Sequence, residues 1–323
     1  MGTAVVRYRT FRNTDPPVLA KVWNEVLDGR GAVHLPNSTP LEFCVFAKPY
    51  FDPAGLIIAE EDGACAGFAH AGFGSDSTGS ALSCQDGVVS FIGVRPSFRR
   101  HGVGAKLLEQ CEAYLREKGA RTLFAGPHRL RNPFYLGLYG GSNLPGFLIS
   151  QGDIQPFLEK HGYRVFRETL VLQRSLRQPM KLPDPRCAAH RQQYEMAAGV
   201  PRSHAFTWWQ ECVLNPLEPI EFFLRDKATG TRVAGALVWE MPSLSGRGAL
   251  PAVGIVDLDV VESKRRLGLG KFFLGLVVRT LQDQYFETAE IQVDVDNTAA
   301  VNLCKGLGFE QVDLGRVYKK DIS

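Results

Sequence analysis

The sequence predicts an α/β (α+β) protein built from two similar units. The chain has 323 residues, and because a single compact core rarely grows that large, two domains of ordinary size are expected. Strand-like hairpins open each half, and a strand, a loop and an apolar helix follow at its centre. The same order occurs twice in units of roughly 150 residues, which indicates an internal duplication.

In the first half, the chain alternates apolar and basic residues over 4–10, which predicts a strand. Asp15 before Pro16 marks the start of a helix that runs to Val26. The turn at Glu61-Asp62-Gly63 joins two strands into a hairpin. The remaining elements follow from apolar runs and helical spacing: strands over 56–60, 64–73, 88–94, 121–125 and 163–172, and helices over 103–118 and 155–161.

Three prolines within residues 178–186 predict a linker, so the expected domains are 1–177 and 187–323. Helical segments are expected over 187–214. The rest of the second half repeats the first, with strands over 221–224, 232–239, 254–261, 291–295 and 312–318, and helices over 269–284 and 298–307.

Composition excludes several classes of protein. The net charge is only +3, whereas nucleic-acid binders usually carry a stronger basic excess. The seven Cys are odd in number and form no C-x-x-C pair, which argues against a disulfide framework and a structural metal site and favours a cytoplasmic protein. No signal-like or membrane-spanning apolar run occurs.

Two short loops carry the strongest chemical signal. Each has the pattern Arg-x-x-Gly-x-Gly, at Arg99–Gly104 and at Arg265–Gly270, and each stands between a predicted strand and a predicted apolar helix. The first N–H groups of a helix lack intrahelical partners and lie at the positive end of the helix dipole, so they bind phosphate oxygens. Glycines let the backbone approach a pyrophosphate closely, and arginines add charge-assisted hydrogen bonds.

Other nucleotide-binding motifs fit these loops poorly. Phe272 stands where a P-loop needs Ser or Thr. Leu107 and Phe273 stand where a dinucleotide-binding loop needs its third glycine.

The two segments resemble the acetyl-CoA motif of the GNAT superfamily of N-acetyltransferases, and the resemblance covers most of both halves. It implies an acyl-CoA co-substrate, no metal, and a mixed, largely antiparallel central sheet flanked by helices in each domain. The residues implied to bind CoA are Ile92, Gly93, Val94, Arg99, Arg100, His101, Gly102, Val103, Gly104 and Ala105 in the first half, and Leu258, Asp259, Val260, Arg265, Arg266, Leu267, Gly268, Leu269, Gly270, Lys271 and Asn297 in the second.

A second motif occurs in full only in the second half. Asn297–Phe309 looks like the family's helix beside the pantetheine arm, whereas the first half keeps only the tail, Phe157–Tyr163. The resemblance implies transfer of an acetyl group from acetyl-CoA to a primary amine of a small-molecule or peptide acceptor, by direct attack in a ternary complex. A backbone N–H near Val94 or Val260 would hold the tetrahedral oxyanion, and one such donor is worth roughly 10²–10³ in rate in other enzymes.

The general acid is where the sequence departs from the family. The family's Tyr is replaced by Cys304 in the second half and by Leu158 in the first. Cys304 could protonate the leaving thiolate, or it could only pack under the pantetheine. Leu158 cannot act as an acid, so the first half would need another group, such as Tyr135 or Tyr139, or has lost activity.

Asp257 and Asp259 are the candidate general bases of the second half. Regular alternation along the strand places both on the face opposite Val256, Leu258 and Val260. They could instead belong to a solvated strand face.

A long segment over 132–153, rich in glycine and aromatic residues, replaces the short family connection in the first half. It could form a substrate-pocket lid, a contact between domains or a packed surface loop. His128, Arg129 and Arg131 just before it could meet an acidic group of the substrate or of CoA, or form a solvated basic turn.

Two functions therefore stay open. The first is a tandem acetyltransferase, either a monomer whose halves form a pseudo-dimer or a homodimer. The second is an acyl-CoA-binding or regulatory protein in which one or both halves have lost their chemistry. Partners of nucleic-acid or membrane type are not expected.

Overall fold

The computed structural model describes residues 5–27, 29–129, 131, 134–180, 186–201, 206–241 and 251–322. Within these ranges the first half carries strands β1 Arg7–Thr10, β2 Leu56–Glu61, β3 Ala64–Ser75, β4 Leu82–Val94, β5 Thr122–Ala125, β6 Phe147–Leu148 and β7 Arg164–Ser175. Its helices are α1 Pro16–Val26, α2 Thr39–Leu41, α3 Val103–Glu117 and α4 Ile154–Lys160, and a π-helical turn, Glu42–Phe46, follows α2.

The second half repeats the central elements of the first. Its strands are β8 Tyr194–Gly199, β9 Ile220–Asp226, β10 Arg232–Met241, β11 Ala252–Val260, β12 Thr288–Asp294 and β13 Glu310–Asp321. Its helices are α5 Arg186–Gln193, α6 Trp208–Leu214, α7 Leu269–Asp283 and α8 Thr298–Lys305.

One sheet runs through both halves in the order β1-β2-β3-β4-β5-β13-β7-β12-β11-β10-β9-β8, with β6 paired to β13. Neighbours are antiparallel except for β4 with β5 and β11 with β12. The expected mixed, largely antiparallel sheet flanked by helices is confirmed.

The last strand of each half pairs with the other half. β13 lies between β5 and β7, with Tyr318 opposite Ala125, and β7 lies between β13 and β12, with Thr169 opposite Asp294. Each half therefore completes the sheet of the other. The proposed domains 1–177 and 187–323 stay a prediction, and residues 181–185 of the predicted linker lie outside the described residues.

The three largest apolar clusters of the described residues hold the sheet and its helices together. One packs α3 against the first half, and its helical residues Leu107, Leu108, Cys111 and Leu115 are at most 1% exposed. A second packs α7 and α8 against the second half. The third lies between the halves and joins α1 and the segment 134–148 to α6, β10 and β11. That segment is mostly turns, and its buried residues make it a contact between the halves, as one of the three interpretations of the sequence expects.

The helical prediction for 187–214 is wrong in its middle part. Residues Tyr194–Gly199 form the edge strand β8, paired with β9 from Tyr194 opposite Asp226 to Gly199 opposite Glu221. Glu, Met and Ala in this stretch favour a helix intrinsically, but backbone pairing to a sheet edge outweighs such small propensities. No helix among the described residues is both long and apolar enough to cross a membrane.

Candidate active site

The two Gly-rich loops have the same backbone conformation. Arg100 and Arg266 both have φ of 65°, and the following glycines, Gly102 and Gly268, have φ of 81° and 82°. These glycines are the N-cap residues of α3 and α7, which begin at Val103 and Leu269 as predicted. A left-handed φ at the N-cap is a conformation that glycine adopts without strain. Both loops thus present a helix N-terminus suited to an anion.

The first arginine of each loop is tied to the strand before it. Nε of Arg99 donates to the carbonyl of Val94 at 2.9 Å, and Nε of Arg265 donates to that of Val260 at 2.7 Å. Arg265 also pairs with Asp259 at 3.1 Å. These bonds fix the sharp turn from strand to helix in both halves.

Helix α5 covers the second loop, whereas no described residue covers the glycine of the first. A Cβ on Gly268 would come within 2.9 Å of the guanidinium carbon of Arg186 on α5, whereas a Cβ on Gly102 would meet no described atom within 4 Å. His190, one turn along α5, donates from Nε2 to the carbonyl of Leu267 at 3.1 Å. Arg186 therefore adds a cation to the second loop that the sequence motif does not include.

The parallel strands of the second half separate beyond their first few residues. β11 and β12 pair only as far as Ile255 opposite Ile291, although β11 continues to Val260 and β12 to Asp294. The opening leads into a cavity of about 290 Å³. It is lined from the first half by His128, Arg129, Asn143, Leu144, Arg167 and Thr169, from β11 by Ile255, Val256, Asp257 and Leu258, from β12 by Ile291, Gln292, Val293 and Asp294, and from the region of α8 by Asn297, Ala300 and Cys304.

A bulge at Asp257 changes the direction of the β11 side chains. Asp257 has φ of 54°, and the pairing with β10 shifts between Val256 and Asp259. Val256 belongs to the cluster between the halves, while Leu258 and Val260 pack towards α7. The predicted regular alternation, with Val256 on the same face as Leu258 and Val260, is therefore wrong, because the extra residue reverses the pattern.

Two ion pairs join the halves at the cavity. Arg129 holds Asp257 with two hydrogen bonds, one of them 3.0 Å long. Arg167 holds Asp294 in the same bidentate manner, with Nε donating at 2.9 Å, and Thr169 donates to Asp294 at 3.1 Å. Bidentate pairs of this kind fix orientation as well as charge.

His128 lies beside the second of these pairs. Its Nε2 accepts a hydrogen bond from Arg167 at 3.1 Å. Burial, and then the positive charge of Arg167, lower the pKa of His128 to about 4. The imidazole is therefore neutral at physiological pH.

The second family motif places two residues in the cavity wall. Asn297 caps α8, its side chain accepting from the N–H of Ala300 at 3.1 Å. Cys304 is fully buried on α8, and burial raises the pKa of its thiol to about 12. The thiol consequently stays protonated at neutral pH, where it can donate but not attack.

The first half has aromatic rings where the second half has its cavity. Phe91 stands three residues before the end of its strand, as Asp257 does in the other half. Its ring centroid lies 4.4 Å from that of Phe68 and 5.3 Å from that of Trp23. Tyr135 stacks on Trp23 at 5.4 Å. These buried rings leave the corresponding space filled.

The two tyrosines predicted as alternative acids are both buried within this packing. The hydroxyl of Tyr135 lies 3.0 Å from Nδ1 of His70, and burial raises its pKa well above the usual value. The hydroxyl of Tyr139 donates to Gln151 and accepts from the N–H of Leu148, each at 2.9 Å. Leu158 lies in the α3 core.

The structure therefore brings some predicted residues together and leaves others apart. Asp257, Leu258, Asn297 and Cys304 share the cavity, while Asp259 points to Arg265. Of the basic turn, His128 and Arg129 reach the cavity, and Arg131 instead lies 4.3 Å from the ring centroid of Phe124. Sequence reasoning missed four cavity residues, Arg167 and Thr169 on β7 and Gln292 and Asp294 on β12. They come together only because β7 of the first half pairs with β12 of the second.

Comparison with known proteins defines the family. The model of the acetyltransferase (GNAT) family matches residues 25–139 and again residues 186–309. The chain belongs to the GNAT acetyltransferase family. Among GNAT sequences, it is 34% identical over 83 residues to an N-alpha-acetyltransferase of Sulfurisphaera tokodaii, a match that covers 25% of this chain and 47% of that protein. The chain thus spans about half the length of that relative.

Solved GNAT structures share the fold over the whole chain. A GCN5-related N-acetyltransferase from Sphaerobacter thermophilus superposes with a TM-score of 0.65 at 16% identity, covering 98% of this chain and 95% of that one. A tandem GNAT protein from the clavulanic acid biosynthesis pathway superposes with a TM-score of 0.65 at 14% identity and covers 98% of each chain. At these identities the likeness concerns the fold, and it supports two GNAT units in one chain.

Proposed function

We propose that this GNAT protein transfers an acetyl group from acetyl-CoA to a primary amine by direct attack in a ternary complex, and that the reaction takes place in the second half. The observation that carries the proposal is the cavity between β11 and β12, which is lined by Leu258 of the strand that precedes the α7 loop and by Asn297 and Cys304. The N-alpha-acetyltransferase among the relatives supports an amine as acceptor.

The second loop fits the phosphates of CoA. Its N-cap glycine has φ of 82° and precedes a helix of 15 residues, so unpaired N–H groups and the positive end of the dipole face the same point. Arg186 adds a guanidinium directly over this loop. When bound, acetyl-CoA supplies the activated acyl group.

The residues around the cavity suggest the remaining roles. Asp257 lines the cavity and Asp259 does not, so we assign the proton acceptor for the amine, directly or through water, to Asp257, whose carboxylate Arg129 orients. The protonated thiol of Cys304 is the proton donor for the departing thiolate. The N–H of the strand beyond the bulge, near Val260, is the donor for the carbonyl oxygen.

For the first half we propose acyl-CoA binding without turnover. Its loop has the same backbone as the second, but Phe91, Tyr135 and Trp23 fill the space next to the strand end. Leu158 supplies no proton. This is the specific observation that favours the binding-only alternative, and it concerns this half alone.

The proposal is tested by counting sites and measuring turnover together. We expect calorimetry to find two acetyl-CoA sites, and Gly102→Glu and Gly268→Glu to remove one each, because a side chain strains the left-handed N-cap and its carboxylate repels phosphate. Gly268→Glu should lower amine acetylation on the order of 10³-fold, since the new carboxylate would also compete for Arg186.

The matched variant, Gly102→Glu, places the same side chain in the same backbone conformation, where its Cβ meets no described atom within 4 Å. It should leave turnover within about threefold of the parent. An equal loss of turnover in both variants would contradict the assignment to the second half. Absence of acetyl-CoA binding in the parent protein would remove the proposal altogether.

A further inference from the structure

The charged groups around the cavity are balanced. Arg129 and Arg167, both supplied by the first half, face Asp257 and Asp294 from the second half. Each of the four side chains keeps between 18% and 35% of its surface exposed, so each remains accessible to a ligand. The described lining therefore carries two positive and two negative charges.

Both arginines keep hydrogen-bonding capacity beyond their ion pairs. A guanidinium has five N–H donors. Among the described contacts, Arg129 uses two of them on Asp257, and Arg167 uses two on Asp294 and one on His128. The remaining N–H groups can donate to a carboxylate without breaking either pair. Both oxygens of Asp257 keep a further lone pair for an ammonium group, whereas Oδ1 of Asp294 already accepts from Arg167 and Thr169.

The balance of charge argues against other acceptor classes. A polyamine would meet two cations as it approached the two aspartates, and an acceptor with only negative groups would meet two anions. His128 does not alter the sum, because it is held in its neutral form by burial and by Arg167. A ligand with one positive and one negative group meets a partner for each.

The size of the cavity limits the acceptor. Its volume of about 290 Å³ lies at the lower end of the range of roughly 300–1,000 Å³ that is typical of small-molecule sites. The same space must also hold the acyl end of the co-substrate. Only a small acceptor fits the remainder.

We propose that the acceptor is a small zwitterionic amine of the amino-acid type, whose carboxylate binds the outer N–H groups of Arg129 and Arg167 while its amino group faces Asp257. This inference rests on the proposed function. The acceptor nitrogen loses a proton and forms a C–N bond to the acetyl carbon, the C–S bond breaks, and the thiolate takes up a proton. No oxidant or reductant is needed.

The experiment compares acceptors that differ in one group. Small L-amino acids, their carboxamides and short diamines are tested with acetyl-CoA, and thiol release gives kcat and KM for each. We expect kcat/KM for an amino acid to exceed that for its carboxamide by at least about tenfold, the equivalent of about 1.4 kcal/mol of binding to a carboxylate.

Substitutions then test whether Arg129 binds the carboxylate of the acceptor. Arg129→Gln should raise KM for amino acids by a larger factor than KM for their carboxamides, although it also releases Asp257 and lowers kcat for both. Thermal unfolding checks that the variant folds, and Arg129→Lys should restore part of the preference. Arg131→Gln is the matched control, because Arg131 lies two residues away, packs on Phe124 and does not line the cavity. It should leave the preference unchanged.

Three results would overturn the inference. Carboxamides or diamines that react as well as amino acids would exclude a zwitterionic acceptor while leaving the acetyltransferase proposal intact. An equal loss of preference in Arg131→Gln would exclude Arg129 as its source. Binding of acetyl-CoA without turnover of any amine would instead refute the proposed function, and this inference with it.

Discussion

The two Gly-rich loops are alike, but the strands that lead into them differ. The strand before the first loop carries Phe91, whose ring is packed against Phe68 and Trp23, and the strand before the second carries Asp257, which lines a charged cavity. The backbone of the loop is thus independent of the side chain three residues before the end of the strand. On the proposed function, different residues bind the phosphates and transfer the acyl group, so that one half can keep the first property without the second.

The halves also differ in what each contributes to the other. β7 carries Arg167 and Thr169 from the first half to the cavity of the second. In return β13 places Tyr318 in the α3 core of the first half, where it is 1% exposed. The second half thus receives cavity-lining residues, while the first half receives packing.

Two histidines, the buried His70 in the first half and the partly buried His128 at the cavity, give the largest expected effect on stability. Burial lowers the pKa of His70, in the first half, to about 3, and burial with Arg167 lowers that of His128, at the cavity, to about 4. Because both values lie below the unfolded value of about 6.5, the unfolded chain binds more protons in between. Stability is fully present above pH 6.5, and each histidine should remove about 3 kcal/mol as the pH falls from 6.5 to 4.

Denaturant unfolding at a series of pH values checks this prediction. His70→Gln and His128→Gln cannot titrate, so each should flatten the acid side of the stability curve. Only His128→Gln should also change acetylation, since His128 contacts Arg167. A parent curve that does not fall between pH 6.5 and 4, or His70→Gln lowering turnover as much as His128→Gln, would contradict the comparison.

The sequence predicts well what depends on neighbouring residues. The starts of α3 and α7 follow from a glycine N-cap and an apolar helix directly behind it. The same local signals identify the loop arginines and Asn297, whose capping bond reaches only to Ala300.

Features that depend on distant pairing could not be predicted from the sequence in the same way. β8 is a strand only because β9 offers it an edge, and Asp294 meets Arg167 only because β7 crosses between the halves. The bulge at Asp257 adds one residue that no periodicity marks. Tyr135 carries a hydroxyl suited to acid catalysis, but its environment is a set of rings from three separate segments, those of Trp23, His70 and Phe91.

An intermediate effect is expected from Arg186, which has no counterpart over the glycine of the first loop among the residues that the structure describes. Arg186→Ala should weaken acetyl-CoA binding at the second-half site by about tenfold, because one charge-assisted contact to phosphate is worth roughly 1.5–3 kcal/mol and partial exposure reduces it. The first-half site should keep its affinity. Calorimetry on the Gly102→Glu and Gly268→Glu backgrounds separates the two sites.

Arg191→Ala on the same helix serves as the control for Arg186, since it removes an equal charge from α5 and should change neither affinity. Tighter binding in Arg186→Ala would show the opposite role, in which the guanidinium covers the loop and competes with the co-substrate. Equal weakening at both sites would mean that the asymmetry between the loops has no energetic consequence.

The smallest effect concerns Tyr135, the sequence-predicted acid of the first half. Tyr135→Phe removes a hydroxyl that bonds only to His70 among the described residues, so the free energy of unfolding should fall by about 1 kcal/mol. Turnover should not change, because the hydroxyl is buried among rings of the first half and Tyr135 does not line the cavity. Tyr139→Phe, which loses bonds to Gln151 and Leu148, should cost more stability with equally little effect on kcat. If Tyr135→Phe instead lowers kcat tenfold at unchanged stability, the first half takes part in the chemistry, and the difference drawn between the two halves is wrong.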